Sequence, residues 1–126
     1  MLIDTDVIIW YMRGNDIARD FLNSNPRFRI SVVTYMELVQ GMRNKRELQA
    51  LRRALKNWNA GIIYINEEIS SKAMFYVEQY YLSHSVHLAD ALIGATAVSH
   101  GLSLLTGNIK HYKIIKEVDI IQFKPS

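Results

Sequence analysis

The chain alternates short apolar runs with stretches whose apolar residues recur every three or four positions. Leu2-Ile3 leads straight into Asp4 and Asp6, and Val7-Ile8-Ile9 follows at once. A strand with no polar lead-in that ends on acids predicts the centre of a buried sheet. Acids at the C-terminal end of such a strand stand where open α/β sheets keep their sites. Thr5 or Asp6 is then expected to cap a short helix through about Met12, which Gly14 and Asn15 break. Asp16 is the expected cap of a second helix, with Ile17, Phe21 and Leu22 on one stripe.

Past the turn Asn23-Ser24-Asn25-Pro26, residues 28–33 read as a strand. Ser31 or Thr34 then starts a helix that ends near Gly41. Leu48, Leu51, Leu55 and Trp58 recur at helical spacing, which predicts an amphipathic helix over Lys45–Asn57. Gly61 ends that region, and residues 62–65 read as a buried strand. Asn66-Glu67-Glu68 supplies a cap and first-turn acids to a long helix with the stripe Ile69, Ala73, Val77 and Tyr80. Ser85 precedes a helix from His87 to about His100, which Gly101 terminates. Residues 102–105 read as a strand, 108–112 as a turn or short helix, and 118–121 as a final strand. Strands alternating with helices predict an α/β fold, its parallel sheet joined by right-handed crossovers.

Composition narrows this picture. At 126 residues, one domain over positions 1–126 with a sizeable core is expected. Hydrophobic residues at 49% and charged residues at 21% fit an ordinary globular protein. The net charge of +3 is compatible with a polyanionic partner without demonstrating one. Cysteine is absent, so disulfides and thiolate sites are excluded and any metal must be held by oxygen or imidazole. The N-terminus has no basic n-region, and no apolar run reaches the ~18–20 residues of a membrane span. The expectation is a soluble cytoplasmic protein with no membrane partner.

The candidate chemistry lies in the acids. Asp4 and Asp6 suit a helix cap and a solvated turn, yet the apolar strand before them aims at least one carboxylate into a cleft. Glu37 follows Thr34 at capping-box spacing, which on its own is a structural role. Asp90 is more informative, because its helical neighbours are Val86, Ile93, Gly94 and Ala97. A carboxylate on such an apolar stripe is costly unless a cation or a set of donors meets it. Thr106-Gly107-Asn108 reads as an ordinary turn, but one that follows a parallel strand on the same rim as Asp4. His87 and His111 lie near Asp90 and Asn108 in the chain, where either could orient a ligand or bind phosphate. No H-x-x-x-H or H-E-x-x-H spacing occurs, which argues against zinc. Basic residues gather at Arg43, Lys45, Arg46, Arg52, Arg53 and Lys56 and at Lys110, Lys113 and Lys116. A solvated helix face accounts for most of them, and a phosphate footprint requires that they flank the acids. Asp4, Glu37 and Asp90 come from separate elements and would repel one another in one cleft unless cations were bound. An oxygen-only set suits Mg²⁺ or Mn²⁺, ions that activate water and neutralise a phosphodiester under in-line attack.

Four segments in order resemble the successive motifs of PIN-domain ribonucleases. They are Leu2-Ile3-Asp4-Thr5-Asp6-Val7-Ile8, Ser31-Val32-Val33-Thr34-Tyr35-Met36-Glu37-Leu38-x-x-Gly41, Leu88-Ala89-Asp90-Ala91-Leu92-Ile93-Gly94-Ala95, and Leu105-Thr106-Gly107-Asn108-Ile109-Lys110-His111-Tyr112. The likeness is closest to VapC toxins of type II toxin–antitoxin systems and spans nearly the whole chain. It implies a five-stranded parallel sheet sandwiched by helices and a Mg²⁺- or Mn²⁺-dependent endoribonuclease. It also implies a homodimer held inactive by a VapB-type antitoxin. Asp4, Glu37 and Asp90 match the family's metal ligands, and Thr106 matches a hydroxyl residue that helps hold water or phosphate. Asn108 stands where many members carry aspartate, which implies weaker metal binding and a one-metal resting state. Asp6 falls where members often have Asn or Ser and is a candidate compensating ligand.

Two other readings have distinct signatures. A haloacid-dehalogenase-type phosphatase also ends its first strand on D-x-D. Here, however, position 8 is Ile, no G-D-x-x-x-D motif follows, and Glu37 and Asp90 would have no role. An inactive PIN-fold module that binds RNA or a partner without cutting is consistent with Asn108. The expected antitoxin seat is the groove near the helices of residues 31–57, which adjoins Glu37 and offers apolar and basic surface.

Overall fold

Twelve elements are built in the computed structural model, which describes residues 1–83 and 86–126. The strands are β1 (Leu2–Ile3), β2 (Arg29–Ser31), β3 (Gly61–Ile63), β4 (Leu104–Thr106) and β5 (Ile120–Gln122). The helices are α1 (Thr5–Met12), α2 (Asp16–Ser24), α3 (Val32–Gln40), α4 (Lys45–Asn57), α5 (Glu67–Tyr80), α6 (Leu88–Ser99) and α7 (Ile109–Tyr112). Ser85, expected just before α6, lies outside the described residues.

All strand pairs are parallel, in the order β3-β2-β1-β4-β5. Leu2 of β1 lies opposite Leu104 of β4, and Ile3 opposite Leu105. Successive side chains of a strand face opposite sides of the sheet. Accordingly, Leu2 and Leu104 join one core with Ile69, Ala73, Tyr76 and Ile93 of α5 and α6. Ile3 and Leu105 join a second core with Val7, Ile8, Leu22 and Leu51 of α1, α2 and α4. A sheet apolar on both faces needs helices on both, which is why the first strand carries no polar residue until Asp4.

The strand order also locates the site. The chain runs from β1 outward through β2 to β3, then crosses to β4 and β5 on the other side of β1. The order therefore reverses between β1 and β4, and the crevice at their C-terminal ends is where such sheets bind ligands. Asp4 follows β1 there, and Thr106 ends β4.

α4 has the predicted bounds, with Leu51, Ala54 and Leu55 buried and Asn44 capping it through the Glu47 N–H. Two caps differ from expectation, and a third settles between the two residues expected. Asp4, neither Thr5 nor Asp6, caps α1, and Asn15 rather than Asp16 caps α2. Ser31 caps α3, so Thr34 lies inside the helix and forms no capping box with Glu37. The cap is the residue that keeps extended dihedrals while its neighbour turns helical. Adjacent Asp, Asn, Ser and Thr residues compete for it on nearly equal local terms.

Candidate active site

Asp4 is fixed by two folding requirements at once. It ends the central strand, where its N–H donates to the Leu105 carbonyl at 2.9 Å. It also caps α1, its Oδ1 accepting from the Thr5 N–H at 2.8 Å. The side chain is left 4% exposed. Its Oδ2 accepts from the Thr106 hydroxyl at 2.8 Å, and Thr106 Oγ1 accepts from the Asn108 N–H at 2.9 Å. Thr106 is fully buried and its proton is committed to Asp4. In this arrangement Thr106 orients the Asp4 carboxylate. Burial, and then the charge of Asp6, push the Asp4 carboxyl up from 3.8 to about 6. The Thr106 and Thr5 donors favour the charged form and offset part of this.

Glu37 reaches the same rim from the second turn of α3. Its Oε1 lies 2.7 Å from the Thr5 hydroxyl, which also lies 3.0 Å from the Thr34 hydroxyl. A carboxylate can only accept and Thr5 has one proton, so Thr5 donates to Glu37 and Thr34 donates to Thr5. α1 therefore places Asp4, Thr5 and Asp6 in a row that serves β4, α3 and the loop after β4 respectively.

Asp90 lies in the first turn of α6 on the small-residue face, with its side chain 14% exposed. The partners that compensate it are neither arginine nor lysine. Tyr112 donates its hydroxyl to Oδ1 at 3.3 Å, and His111 Nδ1 stands 3.3 Å from Oδ2. The Tyr112 hydroxyl also interacts with Asp4, and burial followed by the two carboxylates pushes the phenol far up. His87, expected as a possible ligand-orienting group, stacks edge-on against His111 with ring centroids 6.1 Å apart.

Asp6 and Asn108 are tied into the rim by backbone hydrogen bonds. Asp6 Oδ2 accepts from the Gly107 N–H at 2.8 Å, tying α1 to the loop after β4. A Cβ at Gly107 would lie 2.8 Å from that oxygen and 3.3 Å from the Phe123 carbonyl, so the loop approaches only as glycine. Asp6 Oδ1 is buried with no partner, and burial raises its carboxyl above the usual range. Asn108 is exposed and makes no side-chain cap bond to α7, and its N–H donates to Thr106 Oγ1.

Each of the three expected acids is thus held by a hydroxyl from another element: Asp4 by Thr106, Glu37 by Thr5, Asp90 by Tyr112. Among the described residues no lysine or arginine forms an ion pair with Asp4, Asp6, Glu37 or Asp90. Among those residues no three acids or histidines stand together as a complete ion shell. Asp4, Glu37 and Asp90 therefore share the rim without forming the ready-made cluster expected of them. Basic residues do flank the row. Arg13 and Arg43 line a groove of about 340 Å³ with Glu37, and Lys110 and His111 line the hollow beside Asn108. Thr5 and Thr34 were expected only in helix-capping roles, and the Tyr112 hydroxyl was not singled out. The available signal was their place within the quoted motifs, beside the acids.

Comparison with known proteins agrees with this arrangement. A family model described as PIN domain matches residues 1–117. The chain is 35% identical over 124 residues to Ribonuclease VapC10 of Mycobacterium tuberculosis, covering 94% of this chain and 90% of that protein. It is 29% identical over 127 residues to Ribonuclease VapC1 of Rickettsia felis, with 96% and 94% covered. Among solved structures, a toxin–antitoxin complex from Klebsiella pneumoniae superposes with a TM-score of 0.79 at 30% identity, covering 99% of this chain and 97% of that one. The haloacid-dehalogenase reading is thereby set aside. A parallel sheet whose switch point carries Asp4, Glu37, Asp90 and Thr106, matched along most of its length to such relatives, belongs to the PIN-domain family and within it to the VapC ribonucleases.

Proposed function

We propose that the chain is a Mg²⁺- or Mn²⁺-dependent endoribonuclease held in check by a VapB-type antitoxin. The observation that carries this reading is a buried carboxylate, Asp4, with Asp6 and Asp90 beside it and no cationic side chain of the described residues to compensate it. The donor set is all hard oxygen, which fits Mg²⁺ or Mn²⁺. Mg²⁺ keeps several waters and takes one or two protein carboxylates plus substrate phosphates, so a full protein cage is not required. Asp4 and Asp90 would hold the ion. Asp6 is committed to the Gly107 N–H and Asn108 offers a neutral amide, which favours one ion over two. Bound there, the ion supplies charge neutralisation at a phosphodiester. Glu37, open to the groove and steadied by Thr5, takes a proton from the attacking water. Arg13 and Arg43 on one side and Lys110 on the other bind the RNA backbone.

The test is incubation of chelator-treated, antitoxin-free protein with total RNA, followed by sequencing of new 5′ ends. Cleavage that appears with Mn²⁺ or Mg²⁺ and disappears with chelator is expected. Cleavage in chelator would overturn the metal dependence. RNA bound equally with and without metal, and never cut, would instead support an inert PIN-fold binder, the reading that the neutral Asn108 favours.

The groove beside Glu37 is the proposed antitoxin seat. Its floor is Ile9, Met12, Leu38 and Met42, and its rim carries Arg13 and Arg43. Met36, half exposed on the same helix as Glu37, extends the apolar surface. A partner segment with an apolar face and acidic flanks fits this surface. Met36→Glu combined with Met42→Glu is expected to weaken the cognate antitoxin by about tenfold or more, as loss of buried apolar anchors does. Calorimetric titration showing unchanged affinity would move the seat elsewhere.

A further inference from the structure

We propose that Tyr112 is a positioning residue whose buried hydroxyl holds Asp90 alongside Asp4 for the cation. The inference rests on the metal reading above. Tyr112 is fully buried, and its ring packs beside α6 at Gly94, where a Cβ would lie 3.7 Å from Cδ1. Packing alone would be served by phenylalanine. A phenol adds a polar group that must be satisfied when buried, and it finds Asp90 Oδ1 at 3.3 Å and Asp4 close by. The hydroxyl is a donor with a single proton, set between two like charges that would otherwise repel. The other grip on Asp90, from His111, is made by a side chain 45% exposed and is screened accordingly.

The same segment also governs Asp4. Thr106 donates to Asp4 and is itself oriented by the Asn108 N–H, while Tyr112 closes the four-residue helix that follows. The end of β4 and the short helix after it therefore supply two hydroxyls six residues apart, Thr106 to Asp4 and Tyr112 to Asp90. The short α7 is what turns Tyr112 back toward the crevice.

Tyr112→Phe removes only the hydroxyl, so the circular dichroism spectrum of the fold is expected to persist. In calorimetric titration the metal-free variant is expected to bind Mn²⁺ about tenfold or more weakly, the usual effect of losing an outer partner of a ligand. RNA cleavage should lose kcat with little change in KM, since the RNA contacts are intact. Asp90→Asn serves as the control that abolishes binding. If wild type binds Mn²⁺ and Tyr112→Phe binds it equally and turns over equally, Tyr112 is packing alone and the inference fails while the metal reading stands. If wild type binds no Mn²⁺, the metal reading fails and this role goes with it. A measurement without metal checks the contact itself. Tyr112→Phe should lower the melting temperature less in an Asp90→Asn background than in wild type, and equal losses in both backgrounds would overturn it.

Discussion

Asp4→Asn is expected to lower metal-supported RNA cleavage by about 10³-fold or more while raising the stability of the metal-free protein. On the proposed metal reading, the loss follows from removing an anion that would hold a cation worth several kcal/mol at the reacting phosphate. The gain follows from burial. A rise of the Asp4 carboxyl from 3.8 to about 6 represents roughly 3 kcal/mol of cost for carrying its charge at neutral pH. Asparagine offers one carbonyl oxygen to Thr106 or Thr5 and no charge. Because the folded carboxyl is raised, its contribution to stability is fully present below about pH 3.8 and is lost as pH rises through about 6. In chelator, the advantage of Asp4→Asn over wild type should therefore open between about pH 4 and 6 and then level off. Added Mn²⁺ should stabilise wild type and leave the variant unchanged. Thermal melts across that pH range, with and without Mn²⁺, read both effects. A variant that cuts at the wild-type rate, or a stability difference independent of pH, would remove Asp4 from the site.

Charge relief of this kind explains why the acids were legible in the sequence while their pairing with Thr106 and Tyr112 was not. Asp90 stood out because an acid among Val86, Ile93, Gly94 and Ala97 breaks the apolar stripe of its own helix, and that conflict is visible locally. Asp4 stood out because it ends an apolar strand. The groups that satisfy them, Tyr112 and Thr106, are 22 and 102 residues away in the chain. A hydroxyl on an apolar side of a turn carries no periodic signature. The same limit governed the caps. Asp6 looked as good a cap for α1 as Asp4 until the Gly107 N–H, 101 residues on, engaged it. The order of helices and strands needed only hydrophobic period and turn residues, so it survived intact, with strand ends shifted by one or two residues. β3 stops at Ile63 where residues 62–65 were expected, because it is the edge strand and pairs on one side only. Each of the three expected acids accepts from a hydroxyl that lies far from it in the chain.

Thr106→Val tests that hydroxyl scheme at its most buried point. Valine suits a strand end, so the pairing of β4 with β5 at Gln122 should be retained. The substitution instead strands two groups at once. Asp4 Oδ2 loses its donor, and the Asn108 N–H loses its acceptor. Asp4 Oδ2 is buried while Asn108 is exposed, so one unsatisfied buried group sets the cost and a loss of about 1–3 kcal/mol in urea unfolding is expected. Cleavage should fall by about 10–100-fold because Asp4 is no longer held against the switch point. Thr106→Ser keeps both bonds and gives up one buried methyl, worth about 1 kcal/mol, and should cut within a few-fold of wild type. This contrast separates hydrogen bonding from packing, because valine preserves the volume and serine preserves the hydroxyl. A valine variant as stable and active as wild type, or a serine variant as damaged as valine, would show that Asp4 is held by its helix cap and strand alone.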